Sequence, residues 1–246
     1  MRFKFLSLII LLLLLQNVSY SQLFPRFSIA GGPTVGWFWN NTDDLNNQLQ
    51  SLGIPGISKD GFLTLGGGGF VDLPLKNIRW LRVGGSGEGF TTETQIVSPD
   101  FPYITRTVNY HYGSGGITLD YVKTFGKSIE LTLGAYVSTG KLTIQLYQND
   151  ASFGSWNNIF GQYGGDSSTQ NFSNKLSVRF YAARPQIGLG VFLTGFLYAK
   201  LNAGYQFSTN NDWYVDDDRV VLNAPSGIKA DGFLVNFSLN VGLFTK

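Results

Sequence analysis

The 246-residue chain has 18 Lys+Arg against 16 Asp+Glu, a single histidine and no cysteine, with 31 glycines and 15% aromatic residues. The lack of cysteine excludes a disulfide framework, a thiolate metal site and lipidation at a cysteine. The near-balanced charge offers no basic face for nucleic acid, so none is expected as a partner.

In chain order, Arg2 and Lys4 precede an apolar run, Phe5 to Leu15, interrupted at Ser7 alone, and Ser19-Tyr20-Ser21 follows with small residues. This three-part layout predicts a secretory signal peptide over residues 1–21 and a mature domain over 22–246. As a helix the apolar run reaches roughly 16 Å, too short for a hydrocarbon core of about 30 Å. Cleavage after Ser21 also removes two of the basic residues and leaves the mature chain neutral.

The clearest pattern closes the chain. In "DGFLVNFSLNVGLFTK", Phe233, Val235, Phe237, Leu239, Val241 and Leu243 share one parity, while Asn236, Ser238, Asn240 and Gly242 share the other. Strict period two gives a strand with one apolar and one polar face. Its length suits a tilted transmembrane strand of about 9–11 residues. Comparable segments are Phe27–Trp39, Gly61–Asp72, Ile78–Ile96, Thr105–Tyr121, Ser128–Tyr147, Leu176–Val191, Phe196–Phe207 and Gly232–Phe244. The apolar parity slips at Ser138-Thr139-Gly140 and near Arg184-Pro185, which predicts bulges there.

Connectors alternate in length. Those at about 40–60, 97–104, 148–175 and 208–231 are medium or long, and those at 73–77, 122–127 and 192–195 are short. An up-and-down meander with every tight turn at one end and every loop at the other follows. In transmembrane barrels the turns face the periplasm and the loops face outside. Aromatics gather toward both ends: Trp37, Trp39, Tyr110, Tyr112, Tyr147, Tyr205, Phe207 and Phe233 toward the loops, Trp80, Tyr121, Phe125, Phe196, Tyr198 and Phe244 toward the turns. Such girdles sit at head-group level. The fold expected is all-β: an eight-stranded antiparallel up-and-down transmembrane barrel.

These features together resemble the small eight-stranded outer-membrane barrels of Gram-negative bacteria, of the OmpA-transmembrane, OmpX and OmpW type. The resemblance is one of pattern over nearly all of residues 22–246, and no functional residue carries over from it. The last strand with Phe244 resembles the C-terminal targeting signal of such barrels, although here Thr245-Lys246 follows the aromatic. The resemblance implies the outer membrane as location and its lipid and lipopolysaccharide as surroundings.

One segment departs from strand periodicity. "TDDLNNQLQSLGIP" offers Thr42 as N-cap, Asp43 and Asp44 in the first turn, and Leu45, Leu49 and Leu52 at helical spacing before Gly53 and Pro55. A short amphipathic helix in the first outer loop is expected, its leucines packed on the barrel rim. A lid over the mouth is the alternative.

The glycine run in "LTLGGGGF" lacks the Lys-Ser/Thr pair and the following helix of a phosphate-binding loop. Folding the meander on paper instead aligns Gly31–Gly32 with Gly68–Gly69, Gly66–Gly67 with Gly84–Gly85, Gly84, Gly85 and Gly87 with Gly116, Gly115 and Gly113, and Gly115 with Gly134. Inward Gly66, Gly68, Gly84, Gly116 and Gly134 either bend the wall or leave a hollow behind it.

With the Leu/Ile/Val parity facing lipid, the lumen receives Asp72, Arg82, Glu88, Asp120, Glu130, Arg179 and Lys200. Arg82 and Asp120 fall opposite one another, with Glu130 near Asp120. A small barrel is filled by its side chains, and charges buried there must pair. A structural network that closes the lumen is therefore favoured over a catalytic pair. His111, the one histidine, points outward near the loop end beside Ser114 and reads as interfacial. "NNDWYVDDDR" lacks the spacing and central glycine of a Ca²⁺ loop. The sequence thus predicts a non-enzymatic monomer with no metal and no cofactor, working through an extracellular ligand or surface met by its loops. The loop sequence "SFGSWNNIFGQYGG" suits adhesion. The alternative is a conduit for small hydrophobic ligands through a glycine-lined hollow; a lipid-modifying enzyme ranks below both.

Overall fold

The structure, a computed structural model, describes residues 27–73, 80–97, 104–126, 128–150 and 171–244. Strands β1 (Ser28–Asn40), β2 (Phe62–Asp72), β3 (Leu81–Val97), β4 (Ile104–Phe125), β5 (Ile129–Asp150), β6 (Phe172–Phe192) and β7 (Leu197–Val215) pair each with the next, antiparallel throughout. A two-residue strand β8 (Arg219–Val220) hooks back onto the top of β7. The last strand, β9 (Gly232–Phe244), lies between β7 and β1 and closes a ring of eight. Closure satisfies every strand edge, which an open sheet in lipid cannot do. The eight-stranded up-and-down barrel is the fold the sequence predicts.

The tight connections 73–80, 126–128 and 193–196 share one end with Ser28 and Phe244, which pair directly. The wider connections share the other end. Four strands run past the expected limits: β4 and β5 pair as far as Ile104 with Asp150, β6 begins at Phe172, and β7 continues to Val215. Residues 208–215, expected in a loop, therefore belong to the wall. The signal-peptide segment 1–21 and all of "SFGSWNNIFGQYGG" lie outside the described residues.

The wall is inverted relative to a water-soluble barrel. Ile117 (66% exposed), Leu133, Val241 and Leu243 face outward, whereas the two bulkiest fully buried side chains are Arg82 and Arg184. On β9 the outward series Phe233 to Leu243 spans roughly 33 Å of strand, about 25 Å in height once tilted. That height matches the apolar band of a transmembrane barrel. Trp37, Trp39, Tyr205, Phe207 and Phe233 ring its loop end, and Trp80, Tyr121, Phe125 and Phe196 its turn end, all exposed. Tyr110, Tyr112 and Tyr198 leave the expected girdles, because their parity points them into the interior, where each is buried.

The expected bulges are absent. Ser138 pairs with Gly116 and Ala182, and Arg184 with Tyr136, in unbroken register. The apolar residues change parity because the interior changes character with height: Leu142 and Ile144 point inward, while Leu131 and Leu133 below them point outward. The one register shift in β6–β7 falls between Val178 and Phe180.

Candidate functional site: the closed interior

The lower interior is a set of ion pairs that span the lumen. Arg82 Nε on β3 donates to Asp72 Oδ1 on β2 at 2.6 Å, and its Nη1 lies 3.0 Å from Glu130 Oε2 on β5. The same guanidinium bonds the Tyr198 hydroxyl on the opposite wall at 3.3 Å and lies 4.0 Å from the Phe70 ring centroid. Lys200 on β7 reaches Asp120 on β4 at 2.7 Å, and Arg184 on β6 reaches Glu88 on β3 at 2.5 Å. Gln186 adds a bond to Asp120 at 3.2 Å. Each carboxylate thus meets a cation, as burial requires. Below this layer Phe192 packs on Tyr198 and Phe244, with centroids 4.9 and 5.0 Å away, and floors the barrel.

Six of the seven expected lumenal charges are therefore inward: Asp72, Arg82, Glu88, Asp120, Glu130 and Lys200. The pairing differs from expectation in one respect. Arg82 and Asp120 are cross-strand neighbours, but Asp120 binds Lys200 while Arg82 takes Asp72 and Glu130. Arg179 is a correction: it is exposed on the outer face, next to the register shift at Val178/Phe180. Arg184 supplies the cation expected of it. The sequence placed a bulge beside Arg184, and that bulge hid its inward parity.

The upper interior is apolar. Phe62 stacks on Phe90 with centroids 4.3 Å apart, Phe90 on Tyr112 at 5.4 Å, and Tyr112 on Phe180 at 5.7 Å, with Phe38 against Tyr112 at 5.1 Å. Helix α1 (Asp43–Ser51) drops Leu45 and Leu49 onto this stack, followed by Ile54 and Ile57, and Ile228 and Ala230 enter from the last loop. The leucines thus fill the mouth rather than cover its rim, and Leu52 stays 62% exposed. Thr42 holds the N-cap position without a side-chain cap bond. Instead Asn41 Oδ1 accepts from the Asp43 N–H at 3.0 Å.

Buried Asn46 fixes the descent of the first loop: its amide donates to Ile57 O at 3.0 Å and accepts from Ile57 N–H at 2.7 Å. Gln206 and Asn210 on β7 pin the last loop by donating to Ala230 O at 2.8 Å and Ile228 O at 2.6 Å. Of this plug the sequence offered the first-loop helix alone, with a lid over the mouth as its alternative placing; Ile54, Ile57, Ile228 and Ala230 read as loop rather than as barrel filling.

Among the ion pairs lies a cavity of about 70 Å³ bordered by Glu88, Arg184 and Lys200 and by the glycines Gly68, Gly69 and Gly85, among others. Its volume suits a few water molecules. The glycines beside it bend the wall. A Cβ on Gly66 would overlap the Gly87 carbonyl oxygen, and one on Gly116 the Val137 carbonyl oxygen, so the strands approach more closely than a side chain allows. The register corrects the paper alignment. Gly31 and Gly32 do meet Gly69 and Gly68, but Gly66 meets Glu88, Gly84 meets Thr118, Gly116 meets Ser86 and Gly134 meets Asp120.

His111 is exposed, with Nδ1 2.8 Å from Thr91 Oγ1, while Ser114 Oγ lies 2.9 Å from the inward Tyr112 hydroxyl. Histidine and serine are thus bonded to different partners on opposite faces, which is not the geometry of an activated nucleophile. No group of metal-ligating side chains occurs among the described residues.

No family model matches the chain, and no curated protein does. Solved structures similar in fold are Ail, the attachment invasion locus protein of Yersinia pestis, in complex with the heparin analogue sucrose octasulfate (12% identity, 91% of this chain and 100% of that one, TM-score 0.32); CarO of Acinetobacter baumannii (10% identity, 90% and 99%, TM-score 0.31); and the outer membrane protease OmpT of Escherichia coli (9% identity, 94% and 99%, TM-score 0.22).

Proposed function

We propose that this chain is a non-enzymatic barrel of the outer membrane, exported by a cleaved signal over residues 1–21. It acts as a monomer at the cell surface through its loops, set among outer-membrane lipid and lipopolysaccharide. The observation that carries the reading is the double closure of the lumen. Ion pairs cross its lower half, and an aromatic stack with two descending loops fills its upper half. Closure at two levels among the described residues favours the outer loops and the outer wall as the places that meet a partner. Against the conduit reading stands the size of the remaining cavity, about 70 Å³, which charged and amide side chains share with glycines.

Two measurements on the purified, reconstituted protein test this. Unboiled protein should migrate differently from boiled protein in detergent gels, and planar bilayers should show no steady conductance. Stable ion channels, or uptake of small hydrophobic solutes into liposomes, would return the conduit to first place.

A further inference from the structure

The outer wall carries a charged feature that the closed interior leaves unexplained. Lys141 on β5 and Arg179 on β6 are direct cross-strand partners, and both face out. Like charges placed opposite one another destabilise a sheet unless something compensates. Lys141 shares Asp217 with Lys175, at 2.6 and 2.7 Å. Arg179 has no ion pair or side-chain hydrogen bond among the described residues.

The height of the pair is telling. Tyr181, 61% exposed, is the next outward residue below Arg179, and Thr139 is its partner on β5. The two cations therefore sit one step above the aromatic girdle, at head-group level.

The neighbouring surface is shaped to match. A groove of about 410 Å³ runs beside the pair over Gly113, Ser114, Gly115, Thr139 and Gly140, with no carboxylate along it. On the β7 side the same two cations also border a second groove, which holds Asp212 and Asp217. Gly113 is the cross-strand partner of Lys141, and His111 leans over it, with Nε2 3.5 Å from the position a Gly113 Cβ would take. Because Thr91 engages Nδ1, the imidazole is held with Nε2 toward the groove. Below, the outward column continues through Gly115 and Thr139 to Ile117, Val137 and Ala183. This is an apolar strip flanked by small residues.

We infer that Lys141, Arg179 and His111 bind the phosphate of an outer-leaflet membrane lipid, whose acyl chains lie in the strip below. A phosphate between the opposed cations would turn their repulsion into two charge-assisted bonds. The glycine floor lets the headgroup approach the wall. This site rests on the reading of the chain as an outer-membrane barrel and names the lipid chemistry it meets there.

The test uses the full barrel in phosphatidylcholine nanodiscs, with lipid A carrying both phosphates or none, read by native mass spectrometry. The phosphorylated form should be retained at least tenfold better. Lys141→Gln with Arg179→Gln should abolish that preference, whereas Arg179→Lys keeps most of it and Lys229→Gln, in the last loop, keeps all of it. Equal retention of both lipids by the wild type would overturn the site, as would an unchanged preference in the double variant. Displacement by inorganic phosphate alone would assign the cations to a free anion and overturn the lipid assignment. Heat-modifiable migration is scored on every sample. A variant that shifts normally but keeps its preference sinks the site and leaves the barrel reading intact, while a wild type that shows no shift sinks both. If the double variant fails to fold, the wild-type preference and the Arg179→Lys result decide.

Discussion

The two halves of the interior solve one problem in different ways. Below, the lumen is filled by long charged side chains that reach across it, so each residue depends on a named partner on another strand. Above, it is filled by rings and by loop residues that dock from outside, so each residue depends on volume and contact. A charge buried without its partner costs several kcal/mol, whereas a truncated apolar side chain leaves a cavity into which its neighbours partly relax. The lower half should therefore be brittle and specific, and the upper half tolerant and, through its loops, separable from the ring.

The largest expected effect probes that brittleness. Arg82→Met strands Asp72 and Glu130 and should lower barrel stability by about 3–5 kcal/mol in urea titrations that follow the gel shift. Adding Asp72→Asn and Glu130→Gln to it should recover most of the loss. If the triple variant is as weak as the single one, the lower half is held by packing and the contrast fails.

Next, Leu49→Ala should weaken docking of the first loop by about 2–5 kcal/mol. Faster proteolysis within 43–57 with an unchanged barrel gel shift would show that the plug folds onto a ring that does not need it. Loss of both together would join the halves into one unit.

A smaller effect separates the bent wall from a merely small-residue wall. Gly66→Ala forces a Cβ against the Gly87 carbonyl and should cost about 1–3 kcal/mol. Gly85→Ala meets only the Gly116 carbonyl at an ordinary 3.5 Å and should fall within about 0.5 kcal/mol. Equal costs would mean that close approach is not what the inward glycines provide.

The smallest effect concerns the exterior of the upper half. Asp217 in the β7–β8 turn accepts bonds from Lys141, Lys175 and Ser177, which hold its carboxyl well below the usual range. A depressed folded value means the latch contributes fully above the ordinary carboxylate pKa of about 3.9, and its contribution fades as pH falls through the folded value. Amide exchange around 214–220 should therefore be flat from neutral pH down to about 4 after correction for the intrinsic rate. Faster exchange that begins near neutrality would contradict the assignment.

Much of the architecture was written in local pattern. Phe233 to Leu243 announced a lipid-facing face, connector lengths sorted the two ends, and the placement of Asp72, Arg82, Glu88, Asp120, Glu130 and Lys200 followed from parity. The errors share one cause. A single rule, apolar out and polar in, does not hold for the whole height of each strand. Leu142 and Ile144 broke that rule and looked like a slipped register, although the strand runs straight past Gly140 into an apolar interior. Arg179 was assigned to the lumen for the same reason, since its neighbours Val178 and Phe180 point into the apolar interior and not toward lipid.

By itself the sequence determined the strand count, the meander and the charges of the lower lumen, because period two and turn length act over a few residues at a time. Only the tertiary structure decided which cation meets which carboxylate, how far the glycine register shifts, and that α1 and the last loop fill the mouth. Those outcomes depend on groups brought together across the barrel axis from far apart in the chain, such as Arg82 with Tyr198 or Leu49 with Phe38. Ring closure and the volume left inside it set them, and neither quantity is local to any segment.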